Sequence, residues 1–468
     1  MKHMKKALIF LTVLLAISFS GPSKLSAQSI DTIDKIDKIF AQYHNAMPGV
    51  AVAVSLEGRV IYNKAFGLSN LEFPLPNTTE TIFECGSVSK QFTAAAILLL
   101  AQKGKLSLND DVRKHIPELP QYDAPITIQH LLNHTSGLKD WGALYSLTGW
   151  PRTTRTYTQH LSFDIVFRQK SLNFTPGSKY SYSNSNYVML VLIVERVSEK
   201  SLADFTNEEL FKPLEMTKTQ WRDNFREIVP GRAVAYSVKN GAFFQDMPFE
   251  DVHGPGGLLT TTGDLLKWNR LLETNEIFNA HIVQLRITPG LLNDGSSSGY
   301  AAGLMIGEWN GYNEISHSGS TAGYRAWLAW YPDKNLSVVI LSNYSAFNPT
   351  LAGRAIASVF LGTPQITTTI RDGSQQTKQP TYENSDLSRY IGTYYSEDVD
   401  VTYQISLKDG ELEVYRKAGD TFRLIPTSMD EFSTLANGQY IFTKDKRDKI
   451  TGFTVSVSRA ENVPFKKI

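Results

Sequence analysis

Two strongly apolar runs, Val50-Ala51-Val52-Ala53-Val54 and Val338-Val339-Ile340-Leu341, lie on either side of a long stretch, Val88 to Ile282, that reads as helix and loop. The first run meets Arg59-Val60-Ile61-Tyr62 across Glu57-Gly58, a hairpin signal. Strand character returns at Gly299 to Gly307, Asn313 to Ser318, Gly323 to Tyr331 and Leu336 to Ser342. Helical patterns cover Thr32 to His44, Ile128 to Leu132, Tyr187 to Glu199, Thr262 to Thr274 and Leu351 to Leu361. Strands at both ends with helices inserted between them predict an α/β fold: an antiparallel sheet flanked by helices, an inserted helical lobe, and a site between the two.

The pattern changes after Leu361. From Thr363 to Asn384 the chain is rich in Thr, Gln, Pro, Gly and Ser without apolar periodicity, which reads as a linker. Tyr403 to Leu407, Glu411 to Arg416, Thr421 to Pro426, Tyr440 to Thr443 and Gly452 to Val457 then alternate at hairpin spacing, predicting a C-terminal antiparallel β-barrel or sandwich with its own core.

Cys85 is the only cysteine, so stability rests on packing rather than disulfides. Its neighbourhood reads as a small buried site. The chain opens with Met1-Lys2-His3-Met4-Lys5-Lys6, an apolar run from Ala7 to Phe19 and Leu25-Ser26-Ala27, the pattern of a secretory signal peptide. That run is short for a bilayer span, so the expectation is a periplasmic or secreted protein with no stable membrane insertion after cleavage. Removing residues 1–27 takes away four lysines and no acids, changing the formal charge from +1 to −3. Such a balance predicts no nucleic-acid partner. The expected organisation is therefore a signal peptide (1–27), a main domain (28–362), a linker (363–384) and a barrel (385–468).

Ser87-Val88-Ser89-Lys90 puts a hydroxyl and an amine three residues apart at the start of an apolar helix through Ala94-Ala95-Ala96-Ile97-Leu98-Leu99-Leu100. Positions i and i+3 share a helix face, so Lys90 can reach Ser87 as its base. The same spacing occurs at Ser136 and Lys139, in a Gly-containing turn-like stretch with no helix behind it. In Tyr180-Ser181-Tyr182-Ser183-Asn184, residues two apart project together. Tyr182 is placed to relay the Ser87 proton, and Asn184 to hold either the lysine or a substrate carbonyl. His317-Ser318-Gly319-Ser320 reads as strand, with Gly319 allowing close backbone approach and the Ser320 N–H pairing with that of Ser87 as an oxyanion hole. Taken alone, a histidine such as His317 is more often a hydrogen-bonded structural residue than a catalytic one.

In this order, Ser87-x-x-Lys90, Tyr182-x-Asn184 and His317-x-Gly319 resemble serine hydrolases of the class C β-lactamase and penicillin-binding-protein superfamily. Leu131-Leu132-Asn133-His134-Thr135-Ser136-Gly137-Leu138, Gly256-Gly257-Leu258-Leu259-Thr260-Thr261 and Tyr331-Pro332-Asp333 add to the resemblance, which covers Thr32 to Leu361. The tail is similar to the lipocalin-like barrels that follow this domain in some D-aminopeptidase and esterase relatives. The resemblance implies Ser87 as the acylated nucleophile, Lys90 and Tyr182 as proton carriers, and Asn184, His317, Gly319 and Ser320 as substrate-binding residues. It implies a small-molecule or peptide substrate, with no cofactor and no metal. His317 stands where β-lactamases of this superfamily carry a lysine, and a histidine has variable charge near neutrality. An esterase, D-aminopeptidase or D,D-peptidase is therefore expected. The alternatives are a weak β-lactamase or a non-catalytic binding protein on the same fold.

Overall fold

A computed structural model describes residues 24–150, 155–274, 276–362, 387–417, 420–435 and 438–468. The expected signal segment up to residue 23 and the whole expected linker lie outside the described residues. The chain runs through α1 (Lys24–Phe40), β1 (Val50–Leu56) and β2 (Arg59–Phe66), then a 3₁₀ turn over Gly86–Ser89 that leads into α2 (Lys90–Gln102). A helical lobe follows with α3 (Ile128–Leu132), α4 (Trp141–Leu147), α5 (Gln159–Phe167) and α6 (Asn184–Ser198). α7 (Thr262–Arg270) returns the chain to the sheet strands β3 (Met305–Trp309), β4 (Tyr312–Thr321), β5 (Tyr324–Tyr331) and β6 (Leu336–Ser342), and α8 (Pro349–Leu361) completes this part.

The six strands pair antiparallel in the order β3-β4-β5-β6-β1-β2. β1 and β6, the two apolar runs, are neighbours with Val50 opposite Ser342. Strand alternation divides β1 between two cores. Val50, Val52 and Val54 join Ile36, Phe40 and Ile356, whereas Ala51 and Ala53 belong to the core containing Val88 and Phe92. Covering on both faces is what lets these strands stay apolar along their length. α2 is buried from Lys90 to Leu100, as its all-round apolar surface requires. Thr127, Asp140, Thr158 and Thr261 cap α3, α4, α5 and α7, each side chain accepting an N–H from the first turn.

Two local features depart from the sequence expectation. The strand expected from Gly299 starts at Met305, because Ala301 N–H donates to Leu304 O and the chain folds back there. That fold-back buries Tyr300 completely. Within the stretch expected to be helix and loop, Leu258–Thr260 pairs with Phe83–Glu84 and Gln220–Trp221, and Tyr236–Lys239 with Ala242–Gln245. Strands of two to four residues are too short to show a period.

The C-terminal part is a closed antiparallel barrel: β7 (Gly392–Ser396), β8 (Val401–Lys408), β9 (Glu411–Lys417), β10 (Asp420–Ser428), β11 (Glu431–Ser433), β12 (Gln439–Lys444), β13 (Ile450–Val457) and β14 (Ala460–Lys467). β7 closes on β14 at Tyr394 and Lys467. Aromatic rings fill its core, with Phe453 stacked on Phe465 at 4.8 Å and Tyr403 4.4 Å from Phe465. The barrel is seated directly on the helical lobe. Tyr403 donates to Leu147 O (2.7 Å), Arg416 to Ser146 O (2.8 Å), and Gln169 Nε2 to Asp398 O (3.0 Å).

Candidate active site

Ser87 lies in the 3₁₀ turn and Lys90 is the first residue of α2. Side chains at i and i+3 eclipse in a 3₁₀ turn, which brings Lys90 Nζ to 3.3 Å from Ser87 Oγ. Ser89 fixes the turn by donating to Gly86 O at 2.6 Å while accepting the Leu258 N–H at 3.1 Å. Lys90 Nζ also contacts Asn184 Oδ1 (2.9 Å) and Pro255 O (2.6 Å). Burial pushes its amine well below the ordinary lysine range; Asp140 pulls it up and Arg459 pushes it down. A neutral amine has two N–H donors and one lone pair. Two carbonyl oxygens take the donors, and the lone pair is left for the Ser87 O–H.

Tyr182 lies just before α6, its ring centroid 4.8 Å from Lys90 Nζ. Burial raises its phenol above the ordinary tyrosine range, and the nearby Ser87 hydroxyl draws it partly back. Asn184 opens α6, and its peptide N–H donates to Asp140 Oδ2 at 2.7 Å. The second spacing is structural: Ser136 Oγ donates to Asn186 Oδ1, while Lys139 Nζ turns to Ser171 O and Oγ.

β4 meets the turn that holds Ser87 backbone to backbone. A Cβ at Gly86, where φ is +51°, would sit 2.6 Å from Ser320 N, and one at Gly319 would sit 2.0 Å from Cys85 O. Only glycines allow that approach. Cys85 itself is buried, its thiol pushed up to about 12 mainly by that burial. His317 lies behind the site. Its Nδ1 faces Ser318 O at 2.6 Å and its Nε2 faces the Tyr300 hydroxyl at 3.0 Å. Burial lowers it to about 4, and Lys90 acts in the same direction when protonated.

Ser87, Asn184 and Ser320 line a cavity of about 450 Å³. Trp141, Tyr145, Trp150 and Tyr157 form aromatic walls, and Asp140, Glu250 and Arg459 supply the charges. Sequence reasoning singled out Ser87, Lys90, Tyr182 and Asn184, which the fold brings together, and Gly319 and Ser320 beside them. It missed Pro255, whose contribution is a backbone carbonyl next to the Gly256 to Thr261 phrase. It missed Asp140, at the end of the Ser136 phrase, and Tyr300. Arg459 carried no local signal because it belongs to a barrel hairpin.

Among the described residues no helix is long and apolar enough to cross a membrane. The chain is 26% identical over 394 residues to penicillin-binding protein 4* of Bacillus subtilis, covering 80% of this chain and 85% of that protein. In fold it is similar to the octameric penicillin-binding protein homologue from Pyrococcus abyssi (TM-score 0.60, 23% identity, 95% of this chain and 100% of that one). It is also similar to the D-amino acid amidase from Ochrobactrum anthropi SV3 (TM-score 0.60, 20% identity, 70% of this chain and 98% of that one). Residues 36–361, which hold the serine, its lysine and the strand against them, match the family described as beta-lactamase, and the chain therefore belongs to the β-lactamase family of serine hydrolases.

Proposed function

We propose that this is an exported serine hydrolase that forms an acyl-enzyme at Ser87 and hydrolyses an ester or amide, with D-amino-acid amides or short peptides as the favoured substrate class. The observation that carries the reading is the buried Lys90 amine, whose two donors are satisfied by Asn184 Oδ1 and Pro255 O while its remaining position faces Ser87 Oγ. Lys90 takes the Ser87 proton as Oγ attacks the substrate carbonyl carbon. The N–H groups of Ser87 and Ser320 hold the oxyanion. Tyr182, kept protonated by burial, donates to the leaving nitrogen or oxygen and is reprotonated from Lys90. A water then attacks the ester carbonyl, its proton returns through the same pair, and Ser87 Oγ leaves with a proton.

The aromatic walls suit an apolar side chain, and the D-amino acid amidase and penicillin-binding protein among the similar proteins support the substrate class. A buried, neutral His317 supplies no permanent cation for a β-lactam carboxylate, which weighs against efficient β-lactamase action. The leader pattern at residues 1–27 supports export to the periplasm or beyond. The test is labelling with a fluorophosphonate probe, followed by p-nitrophenyl esters, D-amino-acid amides, D-Ala-D-Ala peptides and nitrocefin. The parent should label once, at Ser87, and Ser87→Ala should neither label nor turn over substrate. Equal labelling of Ser87→Ala, or its loss in Ser136→Ala alone, would overturn the assignment.

A further inference from the structure

One wall of the cavity comes from the barrel. The β13–β14 hairpin turns through Ser458 and Arg459, and Val457, Ser458 and Arg459 all line the cavity. Its tip is clamped to the helical lobe. Arg459 O accepts the Asp140 N–H at 3.0 Å and Asn173 Nδ2 at 3.1 Å, and the Glu461 N–H donates to Asn173 Oδ1 at 2.8 Å. The Arg459 guanidinium lies 3.8 Å from Asp140 Oδ2 and 5.6 Å from the centroid of the Tyr182 ring.

Asp140 joins this hairpin to the base. Its side chain, 1% exposed, caps α4 through the Ala143 N–H (3.0 Å) and accepts the Asn184 N–H (2.7 Å), while Asn184 Oδ1 holds Lys90. A buried carboxylate so near a lysine that must stay neutral is a problem for acylation, because it favours the protonated amine. The other groups acting around Lys90 do not offset it. His134 and His317 are held neutral by burial, and Tyr182 and Tyr187 are kept protonated by burial. Asp140 and Arg459 are left as the opposed charges acting on the amine.

We propose that Arg459, carried into the active site by the barrel, is a positioning residue for acylation: it pairs with Asp140, offsets that carboxylate, and so keeps Lys90 available as the base. The proposal rests on the reading of Ser87 and Lys90 given above. It gives the barrel a part in catalysis through residues distant in sequence from the nucleophile. Arg459 is partly exposed at a hairpin tip, so its substitution leaves both cores intact.

The experiment follows the second-order labelling rate of the full chain by an uncharged fluorophosphonate against pH, in the parent, Arg459→Ala, Arg459→Lys and Asp140→Asn, with Ser87→Ala in parallel. The acid limb of the profile reports protonation of the base. Arg459→Ala should move that limb up by about one pH unit, Asp140→Asn should move it down, and Arg459→Lys should restore the parent position. The double variant Asp140→Asn with Arg459→Ala should lie close to the parent. An unmoved limb in Arg459→Ala, with Ser87 still labelling, overturns the proposal alone. So does a loss confined to KM for a carboxylate-bearing D-Ala-D-Ala peptide, which would make Arg459 a substrate contact. Undiminished labelling of Ser87→Ala would instead overturn the underlying functional reading.

Discussion

The Tyr300 hydroxyl donates to His317 Nε2 at 3.0 Å. The opposite ring nitrogen, Nδ1, faces the Ser318 carbonyl oxygen at 2.6 Å, and a carbonyl only accepts. Nδ1 therefore carries the proton and Nε2 the lone pair, which fixes His317 as one neutral tautomer with both nitrogens engaged inside the protein. The variable charge that a histidine suggests from sequence is removed by burial, and the fold-back of residues 300 to 305 is what places the phenol there.

The pH dependence of stability follows. A histidine at about 4 when folded and about 6.5 when unfolded leaves the unfolded chain binding more protons between those values. Stability contributed by neutral His317 is complete above about pH 6.5 and is lost as pH falls toward 4, by up to about 3 kcal/mol. Buried His134 shifts in the same direction and adds to the loss. Denaturant midpoints measured from pH 7.5 to 4.5 should fall, and His317→Asn should flatten the slope. A flat parent curve would show that His317 titrates normally. In activity, an ester and a carboxylate-bearing amide should give matching pH profiles from pH 5.5 upward.

Tyr182→Phe keeps the ring against His134, 4.3 Å away between centroids, and removes the hydroxyl beside Ser87. Turnover should fall by about 10²- to 10⁴-fold with little change in thermal stability. Steady-state kcat on a p-nitrophenyl ester and an amide checks this, with the larger loss on the amide, whose leaving nitrogen needs a proton. Undiminished kcat on the amide would mean that Lys90 serves both roles.

Gly319→Ala would bring a methyl to 2.0 Å from Cys85 O and force β4 away from the turn that holds Ser87. Displacing the Ser320 N–H should lower kcat by about 10²- to 10³-fold, while overpacking costs about 1–3 kcal/mol of stability. Kinetics and denaturation of the same sample separate the two effects. Full activity in a folded Gly319→Ala protein would rule out Ser320 as an oxyanion donor.

Glu84 is fully buried two residues before Gly86. It accepts Arg222 Nε at 2.8 Å, and Arg232 approaches at 3.3 Å. Removing the carboxylate leaves the buried Arg222 guanidinium without its closest anion. Glu84→Ala should cost about 3–5 kcal/mol, read from urea unfolding, and loosen the turn that holds Ser87. A loss below about 1 kcal/mol would show that Arg222 is compensated elsewhere.

What the sequence determined by itself is local or periodic. Ser87 and Lys90 are legible because their spacing and the apolar helix behind them lie within one turn of chain. The central strands are legible because runs such as Val50 to Val54 are written directly in residue types, and most barrel strands because they alternate. β7, β11 and β14 were missed, β11 because three residues show no period and β14 because Pro464 weakens its strand pattern, and Tyr300 was read as strand although it forms only an isolated bridge to Met305 across the fold-back. Tertiary structure alone decided the rest of the site. Pro255 acts through a peptide carbonyl, which every residue possesses and no residue type announces. Asp140 caps a helix, an ordinary local duty that conceals its contact with the Asn184 N–H. Arg459 reaches the cavity only because a barrel hairpin closes against the helical lobe. Contacts between sequence-distant segments depend on how whole elements pack, and packing leaves no mark on the short stretches that supply its partners.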